Sequence, residues 1–91
     1  MNWTARRRRF RQILEGNDCI TPATVFDPLS ARMVEGLGGQ VGMLAGSVAA
    51  MSILGAPDKM LITASEFADM ALRICRAGDL AVIADADHGY G

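Results

Sequence analysis

The sequence predicts an α/β protein: one helix, then β-α-β-α-β with parallel strands, in a sheet that is begun and not closed. Three observations carry this reading. Apolar runs at residues 20–26, 41–45 and 80–84 have the length and branched content of buried strands. Between them lie segments with apolar residues at helical spacing, opened by cap signatures. The third run, Leu80 to Ala84, leads straight into two carboxylates and a glycine-punctuated turn, Asp85-Ala-Asp87-His88-Gly89-Tyr90-Gly91. That is the carboxyl end of a buried strand, where α/β proteins place their sites.

Each element follows from its residues. Trp3, Phe10, Ile13 and Leu14 fall at helical spacing, which predicts an amphipathic helix over 3–15 with Gly16 near its C-cap. Its arginines are expected on a solvated or subunit-facing side. Ile20 to Phe26 is the first strand, with Pro22 tolerable near its start. Asp27-Pro28 starts a helix, an acceptor at N-cap followed by proline at N1. Leu29, Met33 and Leu37 continue on one face, and Gly38-Gly39 stop it. Val41 to Ala45 is the second strand, ending at Gly46-Ser47, and Val48 to Leu54 is a helical turn or short helix. Residues 55–63 form a loop. Thr63-Ala-Ser-Glu66 is a capping box for a helix with Phe67, Ala71 and Ile74 on one face and Gly78 at its end.

Composition limits what such a chain does. Net charge is −1, yet residues 1–16 carry +4 and residues 17–91 carry −5, so the main body is acidic and not a general nucleic-acid binder. Cys19 and Cys75 lack paired or metal-ligand spacing, and reduced, partly buried thiols in a cytoplasmic protein are expected. No apolar stretch follows the arginine run, so no export signal is expected. Residues 36–57 are uncharged over 22 positions, but six glycines interrupt them, which favours strand-turn-helix over a membrane span.

The chemistry concentrates at the end of the chain. On a persisting strand, Asp85 and Asp87 point to the same side, where their repulsion calls for a hard cation such as Mg²⁺. Gly89 and Gly91 allow a sharp turn or close approach of a ligand. Solvated acids at a strand end are the plainer alternative. At Gly46-Ser47, backbone N–H groups and a hydroxyl suit a carboxylate or phosphate, with an ordinary tight turn as the alternative.

Four stretches together resemble a known family: Phe26-Asp-Pro-Leu-Ser-Ala-Arg32, Leu44-Ala-Gly-Ser47-Val48, Pro57-Asp58 before Leu-Ile-Thr, and Asp85 to Gly91. Their order resembles the isocitrate lyase/phosphoenolpyruvate mutase superfamily, and the His-Gly-Tyr-Gly ending resembles its oxaloacetate decarboxylase branch. The resemblance implies the N-terminal portion of a (β/α)₈ TIM-type barrel, with residues 1–91 as one partial domain. It further implies a homotetramer that decarboxylates oxaloacetate or a related 2-oxo dicarboxylate with Mg²⁺; composition adds the expectation of a cytoplasmic protein with no nucleic-acid or membrane partner. By resemblance Asp85 is the direct metal ligand and Asp87 acts through metal-bound water. Gly46, Ser47 and Val48 hold the substrate carboxylate, and Asp58 is the acidic residue of a mobile segment. Within the superfamily, 2-methylisocitrate lyase-like and phosphonopyruvate or phosphoenolpyruvate mutase-like chemistries remain alternatives. A haloacid dehalogenase-like phosphatase shares only Asp-x-Asp. An inactive, association-prone remnant is the non-enzymatic reading.

Overall fold

In a computed structural model, residues 2–90 are described. The elements are α1 (Trp3–Glu15), β1 (Ala23–Thr24), α2 (Pro28–Gly36), β2 (Val41–Leu44), α3 (Gly46–Leu54), α4 (Ala64–Arg76) and β3 (Ala81–Ala84). The strands form one parallel sheet in the order β1-β2-β3, with Ala23 opposite Gly42 and Leu44 opposite Ala84. This is the opening architecture of a TIM-type barrel, a sheet that continues only if further strands pair with its edges. No helix among the described residues is long and apolar enough to cross a membrane.

The helix starts follow the caps. Asp27 accepts the Ser30 N–H at 2.7 Å while the Ser30 hydroxyl receives the Asp27 N–H, a closed capping box ahead of Pro28. Thr63 and Glu66 form the same reciprocal pair at the start of α4. The Thr63 backbone N–H, and then its hydroxyl, hold the Glu66 carboxyl below its ordinary pKa. That contribution is therefore full above the usual carboxylate range and lost as pH falls through the lowered value.

The first strand is much shorter than the expected 20–26. Pro22 brings no N–H to its start, and the Phe26 and Asp27 N–H groups donate to Ser30 Oγ, leaving the ladder for the cap. Pairing continues only as far as the Val25 N–H, which donates to Met43 O at 3.0 Å. The second linker holds two helices, because the 48–54 run forms α3 before the loop at 55–63. The third strand is also less enclosed than expected. Val82 and Ile83 are half-buried because β3 is an outer strand of this sheet.

Val25, Leu44 and Ile74 are the largest fully buried side chains, joined by Ala31, Ala49, Ile62, Phe67 and Leu80 in one core between sheet and helices. The expected arginine face of α1 is overturned at one position. Arg6 is buried, and its guanidinium donates to Cys75 O and Gly78 O, each at 2.5 Å. The last carbonyls of α4 have no partner within their own helix, and a charged fork of N–H groups meets that need better than water does. Trp3 stacks on the same guanidinium at 4.9 Å, while Leu14 points to solvent. Cys75 is half-buried as expected, and burial pushes its thiol pKa up against the opposing pull of Arg6; Cys19 is exposed, contrary to expectation.

The Leu29, Met33, Leu37 face of α2 is turned outward, with Leu37 87% exposed. The core takes Ala31 and Val34 from the other side of this helix. With that face bare and the outer edges of β1 and β3 unpaired among the described residues, the 91-residue chain is expected to self-associate. Sedimentation velocity checks this. The expected outcome is mass increasing with concentration, and a concentration-independent monomer with a sharp, reversible unfolding transition would overturn it.

Candidate active site

The site begins with the register of β2 against β3. Leu44 and Ala84 are paired at the carboxyl ends of their strands, and the Asp85 N–H still donates to Leu44 O at 2.9 Å. The next residues of each chain segment are thereby held side by side: Ala45-Gly46 entering α3, and Asp85 to Tyr90 leaving β3. Gly46 and Ser47 are not a free-standing turn, as the tight-turn alternative has it, but the first two residues of α3. Ala45 is the N-cap and offers no side-chain acceptor, so the N–H groups of Gly46, Ser47 and Val48 open the helix without a side-chain cap. The positive end of the helix dipole faces the same way.

The two acids meet there by a route that strand alternation does not provide. β3 stops at Ala84, and Asp87 lies in the left-handed region with φ 46°. Its N–H donates back to Asp85 Oδ1 at 3.1 Å, an Asx-type turn that folds the second acid over the first. Asp85 Oδ2 lies 3.4 Å from the Gly46 N–H, a long, weak contact. Asp87 Oδ1 occupies the space a Cβ on Gly46 would fill. Glycine at 46 is thus what lets the Asp87 carboxylate lie against the opening of α3. Gly91 falls outside the described residues.

Neither Asp85 nor Asp87 makes a salt bridge among the described residues. Each carboxylate retains acceptor capacity beyond these few hydrogen bonds. Two hard oxygen donors beside a cradle of glycine backbone fit Mg²⁺, which takes one or two carboxylates and fills its octahedron with water and substrate oxygens. Among the described residues no group of three or more His, Cys, Asp or Glu is arranged to hold a metal ion, so the pair is a partial donor set.

The other candidates are placed unevenly. Ser47 is exposed and Val48 half-buried in the first turn of α3. Asp58 lies exposed in the loop between α3 and α4 and makes no hydrogen bond or ion pair with Asp85 or Asp87 among the described residues. Because β2 and β3 are parallel, α4 runs back from the carboxyl end of the sheet, and this loop belongs to the same end as the acids. A cavity of about 430 Å³ lined by Arg9, Gln12, Glu35 and Asp79 lies at the opposite end, where β2 and β3 begin, away from this chemistry.

Tyr90, to which sequence reasoning gave packing and no part in the site, both packs and touches an acid. Its hydroxyl donates to Asp87 Oδ2 at 3.2 Å, and its ring packs near Phe67, with centroids 6.2 Å apart. Partial burial, then the Asp87 and Asp85 carboxylates, push the phenol pKa above its ordinary value, so it remains a donor at neutral pH. His88 packs edge-on to the Tyr90 ring at 5.0 Å.

Parallel strands with acids and a helix N-terminus gathered at their carboxyl ends define the class as an α/β barrel-type fold. Residues 10–91 match the phosphoenolpyruvate phosphomutase family, and the chain belongs to it. It is 60% identical over 85 residues to oxaloacetate decarboxylase 1 of Pseudomonas fluorescens Pf0-1, covering 93% of this chain and 29% of the relative. An oxaloacetate decarboxylase of Rhodopseudomonas palustris BisB18 is 53% identical over all of this chain and 32% of its own length. Among solved structures, 2,3-dimethylmalate lyase superposes with TM-score 0.83 at 33% identity, over 100% of this chain and 32% of its own. Oxaloacetate acetylhydrolase superposes with TM-score 0.81 at 32% identity, over 92% and 30%. The chain therefore spans about a third of the length of the relatives it matches.

The close approach at Gly46 yields a prediction. Gly46→Ala removes a flexible residue from a helix and gains up to about 1 kcal/mol of helix propensity. Its methyl group displaces the Asp87 carboxylate, the movable partner in the contact. The expected outcome is a thermal midpoint that is unchanged or higher, with weakened Mn²⁺ binding by titration calorimetry. Equal Mn²⁺ affinity would show that the Asp87 position is immaterial.

Proposed function

We propose that this chain supplies the opening segment of a Mg²⁺-dependent oxaloacetate decarboxylase, which converts oxaloacetate to pyruvate and carbon dioxide. The observation that carries the reading is the convergence of Asp85 and Asp87 on the uncapped first turn of α3. The Pseudomonas and Rhodopseudomonas decarboxylases, at 60% and 53% identity, support the choice of reaction, as does the His88-Gly89-Tyr90 sequence after the acids. A homotetrameric, cytoplasmic enzyme belongs to the same proposal.

In this reading Asp85 would hold the metal directly and Asp87 would hold it through bound water. When bound, Mg²⁺ polarises the substrate's oxo group and neutralises the charge that develops as carbon dioxide leaves. The N–H groups of Gly46, Ser47 and Val48, with the Ser47 hydroxyl, receive the carboxylate next to that oxo group, as helix openings receive anions. Both ends of the oxo-acid unit are then fixed, which orients the C3–C4 bond that breaks. Asp58 is the acidic residue that the covering loop brings to the bound substrate. No covalent nucleophile is required: the electron pair of the broken C3–C4 bond stays on the substrate as an enolate, whose electrostatic stabilisation is sufficient for this reaction type, and C3 then takes a proton from water to give pyruvate. The 91-residue chain alone presents only part of the donor set and is expected to turn over no oxaloacetate.

Pyruvate release from oxaloacetate, measured in a complete barrel carrying these residues, tests the assignment. Asp85→Ala is expected to abolish Mg²⁺-dependent turnover, and Asp87→Ala to reduce it by about 10- to 100-fold. Full activity in Asp85→Ala, or none in the unaltered barrel, would overturn the reading.

Ser47→Ala is expected mainly to raise KM, since one hydrogen bond to a charged group contributes about 1.5–3 kcal/mol. Unchanged kinetics would make Ser47 an ordinary helix residue.

A further inference from the structure

We propose that Tyr90 is a positioning residue that fixes the Asp87 carboxylate against the opening of α3, and so sets how tightly the acidic pair takes a divalent cation. The inference rests on the metal role proposed for Asp87, and it concerns a residue that the reaction itself does not need.

Asp87 is held by a short turn, not by a strand. The Gly89 N–H donates to Ala86 O at 2.7 Å, and Asp87, Gly89 and Tyr90 all have positive φ, at 46°, 83° and 61°. Glycine adopts that region freely and aspartate tolerates it, whereas a tyrosine there is uncommon and needs outside contacts to persist. Those contacts are present. The ring meets Phe67, which is 7% exposed near the start of α4, and His88 packs edge-on against it. The ring is therefore anchored to the core, and its hydroxyl reaches back three residues to Asp87 Oδ2.

The consequence for Asp87 is geometric. Oδ2 is tied to Tyr90, and Oδ1 lies in the space left by the missing Gly46 side chain. A carboxylate tied at one oxygen and packed against Gly46 at the other has fewer rotamers left, so less order remains to be imposed when a cation arrives. Without the phenol, the carboxylate keeps only its packing against Gly46, on a turn that has no ladder hydrogen bond beyond Asp85 among the described residues. Tyr90→Phe removes only the hydroxyl and keeps the ring against Phe67, which separates positioning from packing.

The test measures Mn²⁺ alone, by titration calorimetry and by the electron paramagnetic resonance signal of the free ion, in the complete barrel carrying these residues. Tyr90→Phe is expected to weaken Mn²⁺ binding by up to about 10-fold, no more than the low end of the range for residues one step removed from the metal, because the phenol acts through Asp87. In an Asp87→Asn background the same change is expected to have almost no further effect. Tyr90→Leu is expected to match Tyr90→Phe in metal affinity while also lowering the thermal midpoint. Unaltered Mn²⁺ affinity in Tyr90→Phe, or an equal loss with and without Asp87, would overturn the inference. Metal affinity does not depend on the substrate. A barrel that binds Mn²⁺ through Asp87 and Tyr90 but leaves oxaloacetate intact would refute the decarboxylase reading and uphold this one.

Discussion

The pairing of β2 with β3 is the constraint on which the rest depends. One parallel ladder of four residue pairs ends on the Asp85 N–H to Leu44 O bond, and both acids and the opening of α3 lie within a few residues beyond it. A slip of one residue in this register would reverse the faces of β3 and carry Asp85 away from Gly46. Leu44 and Ala81 are buried to the limit, which specifies the register by packing. The site therefore takes its precision from the apolar core beneath it.

The same ladder must be secured at its other end, where α4 turns into β3. Arg6 reaches from α1 to the carbonyls of Cys75 and Gly78, and Arg32 reaches from α2 to that of Ala77. Glu35 accepts the Asp79 N–H in the same turn. Three side chains from two helices thus hold one tight connection in place. The ion pairs of Arg6 and Arg9 with Asp79 add little, because that carboxylate is largely solvated. The Arg6 hydrogen bonds to the part-buried carbonyls of Cys75 and Gly78 matter more, since leaving a fully buried group unpaired costs about 1–3 kcal/mol and these lie part of the way there. Arg6 Nε is buried without a hydrogen-bond partner among the described residues, the unfavourable side of the same arrangement.

Much of this was legible in the residues, where local chemistry decides local structure. Asp27-Pro28 and Thr63-x-x-Glu66 announce their helices because capping needs only near neighbours. The parallel order followed from spacing alone. What stayed hidden depends on contacts distant in sequence. Arg6 looks like any other arginine of its run until the end of α4, some seventy residues on, offers it carbonyls. The outward face of α2 has the spacing of a core stripe, yet the sheet selects the smaller Ala31 and Val34 instead. The acids converge for a reason other than the expected one. Alternation along a strand would put them on one side, whereas a left-handed Asp87 and an Asx-type turn bring them together.

The division of labour between the two ends follows from what a parallel sheet leaves exposed. At the amino ends, the chain arrives from helices whose last carbonyls need donors, and arginines supply them. At the carboxyl ends, the chain departs into helices whose first N–H groups need acceptors. At α3 no side chain fills that need among the described residues, since Ala45 cannot, and the Asp85 Oδ2 contact to the Gly46 N–H is long at 3.4 Å. α4, by contrast, begins on a complete capping box. One helix is closed by its own residues and anchors the loop at 55–63; the other is left open beside two acids. An opening of that kind favours an anion, the adjacent acids favour a cation, and a 2-oxo acid chelating a metal satisfies both at once.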